Sequence, residues 1–182
     1  PDLSHVGLNQ FTVRVTDAAG AFDEAVLQIE VLAPLVGDFS DWLTEKGLPA
    51  DPTIDTDNDS IDNIIEYIIG GDPVNRNDTD LLPTGVLVTA DPDEDTNASS
   101  YLLFTYRLTD RAAADETIAI AAEWSTDLSS PWNDAALTPE VVILEEPHPE
   151  EEGVKLVKVF IPRSLEQNGR LFARLGASVA TP

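Results

Sequence analysis

The chain has 182 residues, in which 10 Lys plus Arg face 34 Asp plus Glu, for a formal net charge of -24. A surface this acidic repels polyphosphates and anionic lipid headgroups, which excludes nucleic acid as a partner and membrane binding by charge. Hydrophobic residues make up 42%, enough for a packed core, while no apolar run approaches the roughly 20 residues needed for membrane insertion as a helix.

The first 34 residues read as a β-hairpin. Phe11, Val13 and Val15 alternate with Thr12, Arg14 and Thr16, and Leu27, Ile29 and Val31 alternate with Gln28 and Glu30. This is the period of two expected of a half-buried strand. Asp17-Ala18-Ala19-Gly20 lies between the runs as a turn. Two strands alone are marginal in water, so their apolar face calls for a partner.

Residues 35–80 read as two short helices around a loop. Asp38 is placed to cap a helix carrying Phe39, Trp42 and Leu43, and Gly47 to end it. After an acidic run, Ile61, Ile64, Ile65, Ile68 and Ile69 recur at helical spacing until Gly70-Gly71-Asp72-Pro73 stops the pattern. Residues 81–182 read as strands again: 85–89, 101–108, 117–125, 141–144, 154–161 and 171–175, separated by polar loops that include 91–97 and 145–153. The expectation is a mainly β chain: an antiparallel β-sandwich at 81–182, an N-terminal hairpin at 1–34, and a two-helix insert at 35–80.

The stretch Asp55-Thr56-Asp57-Asn58-Asp59-Ser60-Ile61-Asp62-Asn63-Ile64-Ile65-Glu66 carries the chemistry. Numbered as a twelve-residue calcium loop, it puts Asp55, Asp57 and Asp59 at positions 1, 3 and 5. Ile61 falls at 7, where a backbone carbonyl serves, Asn63 at 9, and Glu66 at the bidentate position 12. Ca2+ is a hard cation that takes six to eight oxygens. Alternate side chains of a tight loop converge on one point, and a carboxylate from the following helix closes the shell. Two positions depart from the usual loop: Ser60 stands where glycine is normal, and Asp62 where an apolar residue pairs two hands. The loop therefore reads as a single, unpaired calcium site.

These residues also carry a resemblance. Phe39-Ser40-Asp41-Trp42-Leu43, the Asp55–Glu66 loop and Glu66-Tyr67 through Gly70-Gly71-Asp72-Pro73 resemble a segment common in large secreted bacterial proteins. The loop itself is similar to thrombospondin type 3 repeats and other EF-hand-like loops. Glu123-Trp124-Ser125-Thr126-Asp127-Leu128 with Trp132 resembles a signature of the β-rich domain that ends such proteins, and Leu171-Phe172-Ala173-Arg174-Leu175 resembles its closing strand. Residues 4–32, with Val13-Arg14-Val15-Thr16-Asp17 and Gly20, resemble the last two strands of an immunoglobulin- or cadherin-like repeat. The resemblance implies a C-terminal, non-catalytic, extracellular or cell-surface region, with any catalytic domain upstream. The chain opens with neither an initiator Met nor a signal peptide, and so reads as a piece of a longer protein.

No nucleophile motif, zinc-protease motif or phosphate-binding glycine loop is present. With no Cys and no Met, thiolate chemistry is excluded. His5 and His148 sit far apart in sequence and read as surface residues. The leading expectation is a structural or adhesion module whose calcium ion stiffens the joint between β-domains. The alternatives are a carbohydrate-binding module, with Trp124 and Trp132 as the stacking pair, and self-association through the open edge of the N-terminal hairpin. An accessory cation loop at Asp91-Pro92-Asp93-Glu94-Asp95 and glycosylation patterns at Asn77 and Asn97 are weaker signals.

Overall fold

The computed structural model describes residues 7–31, 37–94, 97–129 and 131–179. His5 and Asp95 lie outside these residues. The chain divides into two compact units, Pro1–Val36 and Gly37–Pro182.

In the first unit, β1 (Gly7–Thr16) pairs antiparallel with β2 (Phe22–Val31). The register sets Phe11 opposite Leu27 and Val13 opposite Ala25. One face is therefore apolar, as the alternation requires. Asp17 Oδ1 accepts from the amides of Ala19 and Ala21, and Gly20 takes the positive φ of 89° that closes the turn.

The second unit begins with α1 (Phe39–Lys46). The Asp38 side chain accepts from the Asp41 amide, and Gly47 closes the helix at φ 70°. The next helix, α2 (Asn63–Ile69), ends at Gly70 with φ 83°. Ile61, part of the helical spacing in the sequence, lies before the helix and is buried there. Strands β3 (Thr84–Ala90), β4 (Ser99–Thr109), β7 (Val142–Pro147) and β8 (Val154–Pro162) form an antiparallel sheet in the order β3-β4-β8-β7. Strands β5 (Ile118–Ser125), β6 (Asn133–Asp134) and β9 (Phe172–Val179) form another, in the order β6-β5-β9.

Two features differ from the sequence reading. A four-residue helix α3 (Asp110–Ala113) follows β4, capped by the Thr109 hydroxyl, which accepts from the Ala112 amide. Strand β7 continues through Glu145, Glu146 and Pro147, residues expected in a loop. Glu145 and Glu146 continue the ladder opposite Val157 and Leu156 of β8, and their side chains form ion pairs with Lys155 and Lys158, at 3.3 and 2.6 Å.

One hydrophobic core unites the helices with both sheets. Phe39, Trp42, Ile64, Tyr67, Ile68 and Ile69 from the helices cluster with Phe104, Tyr106, Leu108, Val157, Val159 and Ile161 from the four-stranded sheet, and with Ile118 and Ala122 from β5. Phe39 and Trp42 each bring their rings near Tyr67, with centroids 5.3 Å away in both cases, so α1 and α2 meet through aromatic contact. The helical segment is thus integral to the second unit. Its packing positions the acidic loop between the two helices.

Candidate metal centre

The loop after α1 turns back on itself because its own carboxylates bind its amides. Asp55 is the hub. Its Oδ1 accepts from the Asn58 and Asp59 amides at 2.7 and 3.2 Å, and its Oδ2 from the Ser60 amide at 2.8 Å. Asp57 Oδ1 accepts from the Asp59 amide at 3.2 Å, and Asp59 Oδ1 from the Ile61 amide at 2.8 Å. The turn demands left-handed backbone at Asn58 and Ser60, with φ of 63° and 78°. Ser60 thus adopts the conformation that glycine usually supplies at this position, at a cost of about 1 kcal/mol.

This wrapping aims the remaining oxygens inward. Among the described residues, one group of three acids gathers its ligand atoms within 4.8 Å of one another: Asp55, Asp57 and Asp59. Glu66 is outside that group and arrives from α2. It is 0% exposed. Among the described residues, four buried side-chain oxygens have no hydrogen-bond partner: Asp57 Oδ2, Asp59 Oδ2, and both Oε1 and Oε2 of Glu66. Buried carboxylates without partners are strongly unfavourable, since each forfeits its hydration.

The electrostatics carry the same message. Burial, and then the charges of Asp57, Asp59, Asp78 and Asp55, push the Glu66 carboxyl up to about 8. Burial and the charge of Asp59 also raise Asp57. Burial acts on Asp55 in the same direction, but the amides of Ser60, Asn58 and Asp59 outweigh it and hold Asp55 below the ordinary range. The donor set is oxygen only, negatively charged and preorganised by the backbone. Its orphaned oxygens fit a divalent cation.

The other two expected ligands are placed differently. Ile61 lies two residues after Asp59, with its side chain buried and its amide held by Asp59. Asn63 is fully buried, and its amide group faces Thr56. Its Oδ1 accepts from the Thr56 amide at 3.3 Å, and its Nδ2 donates to Thr56 Oγ1 at 3.0 Å. Asn63 therefore staples the start of α2 to the loop.

Supporting residues from distant parts of the chain hold α2. Arg107 Nε on β4 donates to the Ile69 carbonyl at 2.9 Å, and Thr109 Oγ1 to the Tyr67 carbonyl at 3.1 Å. Arg107 also contacts His148 at 3.2 Å and pairs with Glu151. Asp115 Oδ2 accepts from the Phe39 amide at 2.7 Å and the Tyr67 hydroxyl at 3.1 Å, tying both helices together. Arg111 binds Glu45 with both terminal nitrogens, at 2.7 and 2.9 Å, and donates to the Gly37 carbonyl. Local spacing carried no signal for any of these.

The aromatic pair weighed for sugar stacking is differently disposed. Trp124 packs against the hydrophobic core, and its indole N–H donates to Thr138 Oγ1 at 3.0 Å. The Arg174 guanidinium lies 4.3 Å over the Trp132 ring, covering one side of it. No helix among the described residues is long and apolar enough to cross a membrane. Compared with known proteins, the chain has no match among family models, curated proteins or solved structures.

Proposed function

We propose that this chain is a non-catalytic, calcium-stabilised structural module of an extracellular or cell-surface protein. The ion would be held by Asp55, Asp57, Asp59 and Glu66, with the Ile61 carbonyl, and Asn63 would order the loop. One observation carries the reading: Glu66 is fully buried, with neither oxygen partnered, beside two further unpartnered carboxylate oxygens. A cation supplies the missing partners and cancels the repulsion among these acids. Calcium is favoured over smaller divalent cations because the donor set offers several carboxylates, among them a glutamate with both oxygens open to an ion.

The role of the ion follows from what α2 touches. Calcium draws Glu66 toward the loop, and α2 carries Ile68 and Ile69 into the core while Arg107 and Thr109 hold its last carbonyls. The joint expected from the sequence is thereby narrowed to a clamp within the second unit, locking the helices onto the strands. The two sheets, which share one core, are read as the layers of a sandwich. The resemblance to C-terminal regions of secreted bacterial proteins, quoted above, supports the extracellular placement, where free calcium is plentiful.

At free calcium a hundredfold above the dissociation constant, the ion adds about 2.7 kcal/mol of stability. The test is thermal unfolding in calcium and then in chelator, beside an Asp55→Asn, Glu66→Gln double variant. A calcium-dependent rise in Tm that the variant lacks is expected. Equal Tm values for the native chain in both conditions would remove the reading.

A further inference from the structure

The four loop and helix acids do not exhaust the negative charge at the centre. Asp78 lies in the short 3-10 turn Asp78–Asp80 beyond α2, twelve residues after Glu66, and is 8% exposed. Gly71, having no side chain, leaves room for it near Glu66. A Cβ at Gly71 would sit 3.0 Å from Asp78 Oδ2, and 3.1 and 3.2 Å from Cβ and Cγ of Glu66. The two acidic side chains thus flank one gap that any residue larger than glycine would fill. Asp78 Oδ2 is fixed there by the Asp72 amide, which donates to it. No cationic side chain is paired with Asp78 in the described structure, whereas Lys46 nearby pairs with Asp72 at 3.1 Å.

From this geometry we infer that Asp78 is a positioning residue of the cation site, adding charge from behind Glu66 and, with Gly71, setting the orientation of the Glu66 carboxylate. The inference rests on the metal reading proposed above. A buried like charge at the back of a fully buried carboxylate is unfavourable unless a cation lies in front. With the cation present, the same charge strengthens its binding through a poorly screened path. Asp78 therefore tunes affinity without entering the coordination shell, as outer groups do at other metal sites.

The experiment is calorimetric titration of the whole chain with Ca2+ and with Tb3+, comparing the native chain with Asp78→Asn, Asp78→Glu and Glu66→Gln. Asparagine keeps an acceptor for the Asp72 amide and removes only the charge. Asp78→Asn is expected to weaken Ca2+ about three- to tenfold, and Tb3+ by a larger factor, because the effect scales with ion charge. In chelator the same variant should melt at or above the native temperature, since a repulsion is gone. Asp78→Glu, which retains the charge, should stay within about threefold of native affinity. A purely structural role would lower Tm equally with and without calcium and weaken both ions by the same factor. That result, or unchanged Ca2+ affinity in Asp78→Asn, overturns the inference while the site itself stands. If Asp78→Asn does not fold, a Ca2+ loss in Asp78→Glu as large as in Glu66→Gln overturns it equally. Absence of binding by the native chain would instead overturn the metal reading, and this inference with it.

Discussion

The N-terminal hairpin and the acidic loop are both closed by local hydrogen bonds, yet they leave opposite kinds of surface unsatisfied. In the hairpin every residue of β1 has a partner on β2, while Phe11, Val15 and Leu27 remain 51%, 71% and 51% exposed. In the loop the backbone amides are bound by carboxylates, while the orphaned oxygens of Asp57, Asp59 and Glu66 are buried. Closing the backbone is therefore not the same as being stable. Among the described residues, the hairpin leaves apolar side chains exposed, and the loop leaves carboxylate oxygens unpartnered. The helices differ from both, because their apolar faces reach a shared core in which Ile68 and Ile69 are 0% exposed.

This contrast is open to direct test. The largest effect is expected from Ile68→Ala in α2, which should cost about 2–5 kcal/mol in urea unfolding, because it opens a cavity in the shared core. A loss under 1 kcal/mol would mean that the helices are only loosely docked. Next, Glu66→Gln should stabilise the chain in chelator by about 1–3 kcal/mol, because the native carboxyl, pushed up to about 8, must either take up a proton or bury an unpaired charge on folding, and should abolish the response to calcium. If this variant is weaker in both conditions, the orphaned oxygens are not repelling their neighbours.

Asp115→Asn should cost about 1–2 kcal/mol near neutral pH, since a carboxylate that accepts from Phe39 and Tyr67 is replaced. Burial alone would raise Asp115, but hydrogen bonds from Thr117, Phe39 and Tyr67 hold its carboxyl below the ordinary 3.8. Because the folded value is the lower one, its stabilisation is present above pH 3.8 and is lost as pH falls below it. The variant should accordingly show a shallower acid-side loss than the native chain in a pH series of melting curves. Ser60→Gly should raise Tm slightly, by about 0.5–1 kcal/mol of stability, through relief of the left-handed backbone at φ 78°. The smallest effect is expected at Val15→Thr in the hairpin, within about 0.5 kcal/mol in the same unfolding assay. A loss comparable to that at Ile68 would show that the hairpin's apolar face is covered in solution.

The chain itself announced whatever depended on neighbours in sequence. Asp38 and Gly47 bound α1, and Gly70 ends α2, because caps act within one helical turn. Asp55, Asp57 and Asp59 converge because alternate residues of a tight loop point to one centre. Strand positions were legible from alternation, although β7 runs on past its apolar stretch in a backbone ladder with β8, its Glu145 and Glu146 paired with lysines of that strand. Asn63 has the spacing of a ligand, and the structure adds that its amide group bridges to Thr56, a contact that a spacing rule does not contain.

Only the tertiary structure decided the rest. The order β3-β4-β8-β7 sets β4 beside β8, two strands far apart in sequence. The groups that hold the site lie 38 residues away, as for Arg107 on Ile69, and 76 residues away, as for Asp115 on Phe39. Asp78 and Glu66 flank one gap, which stays open because Gly71 carries no side chain to fill it. A turn or a cap is specified by a few dihedral angles and one hydrogen bond, so its residues can be read in place. A sheet order, a buried carboxylate or a remote arginine is specified by which surfaces meet once the core closes, and that information is distributed over the whole fold.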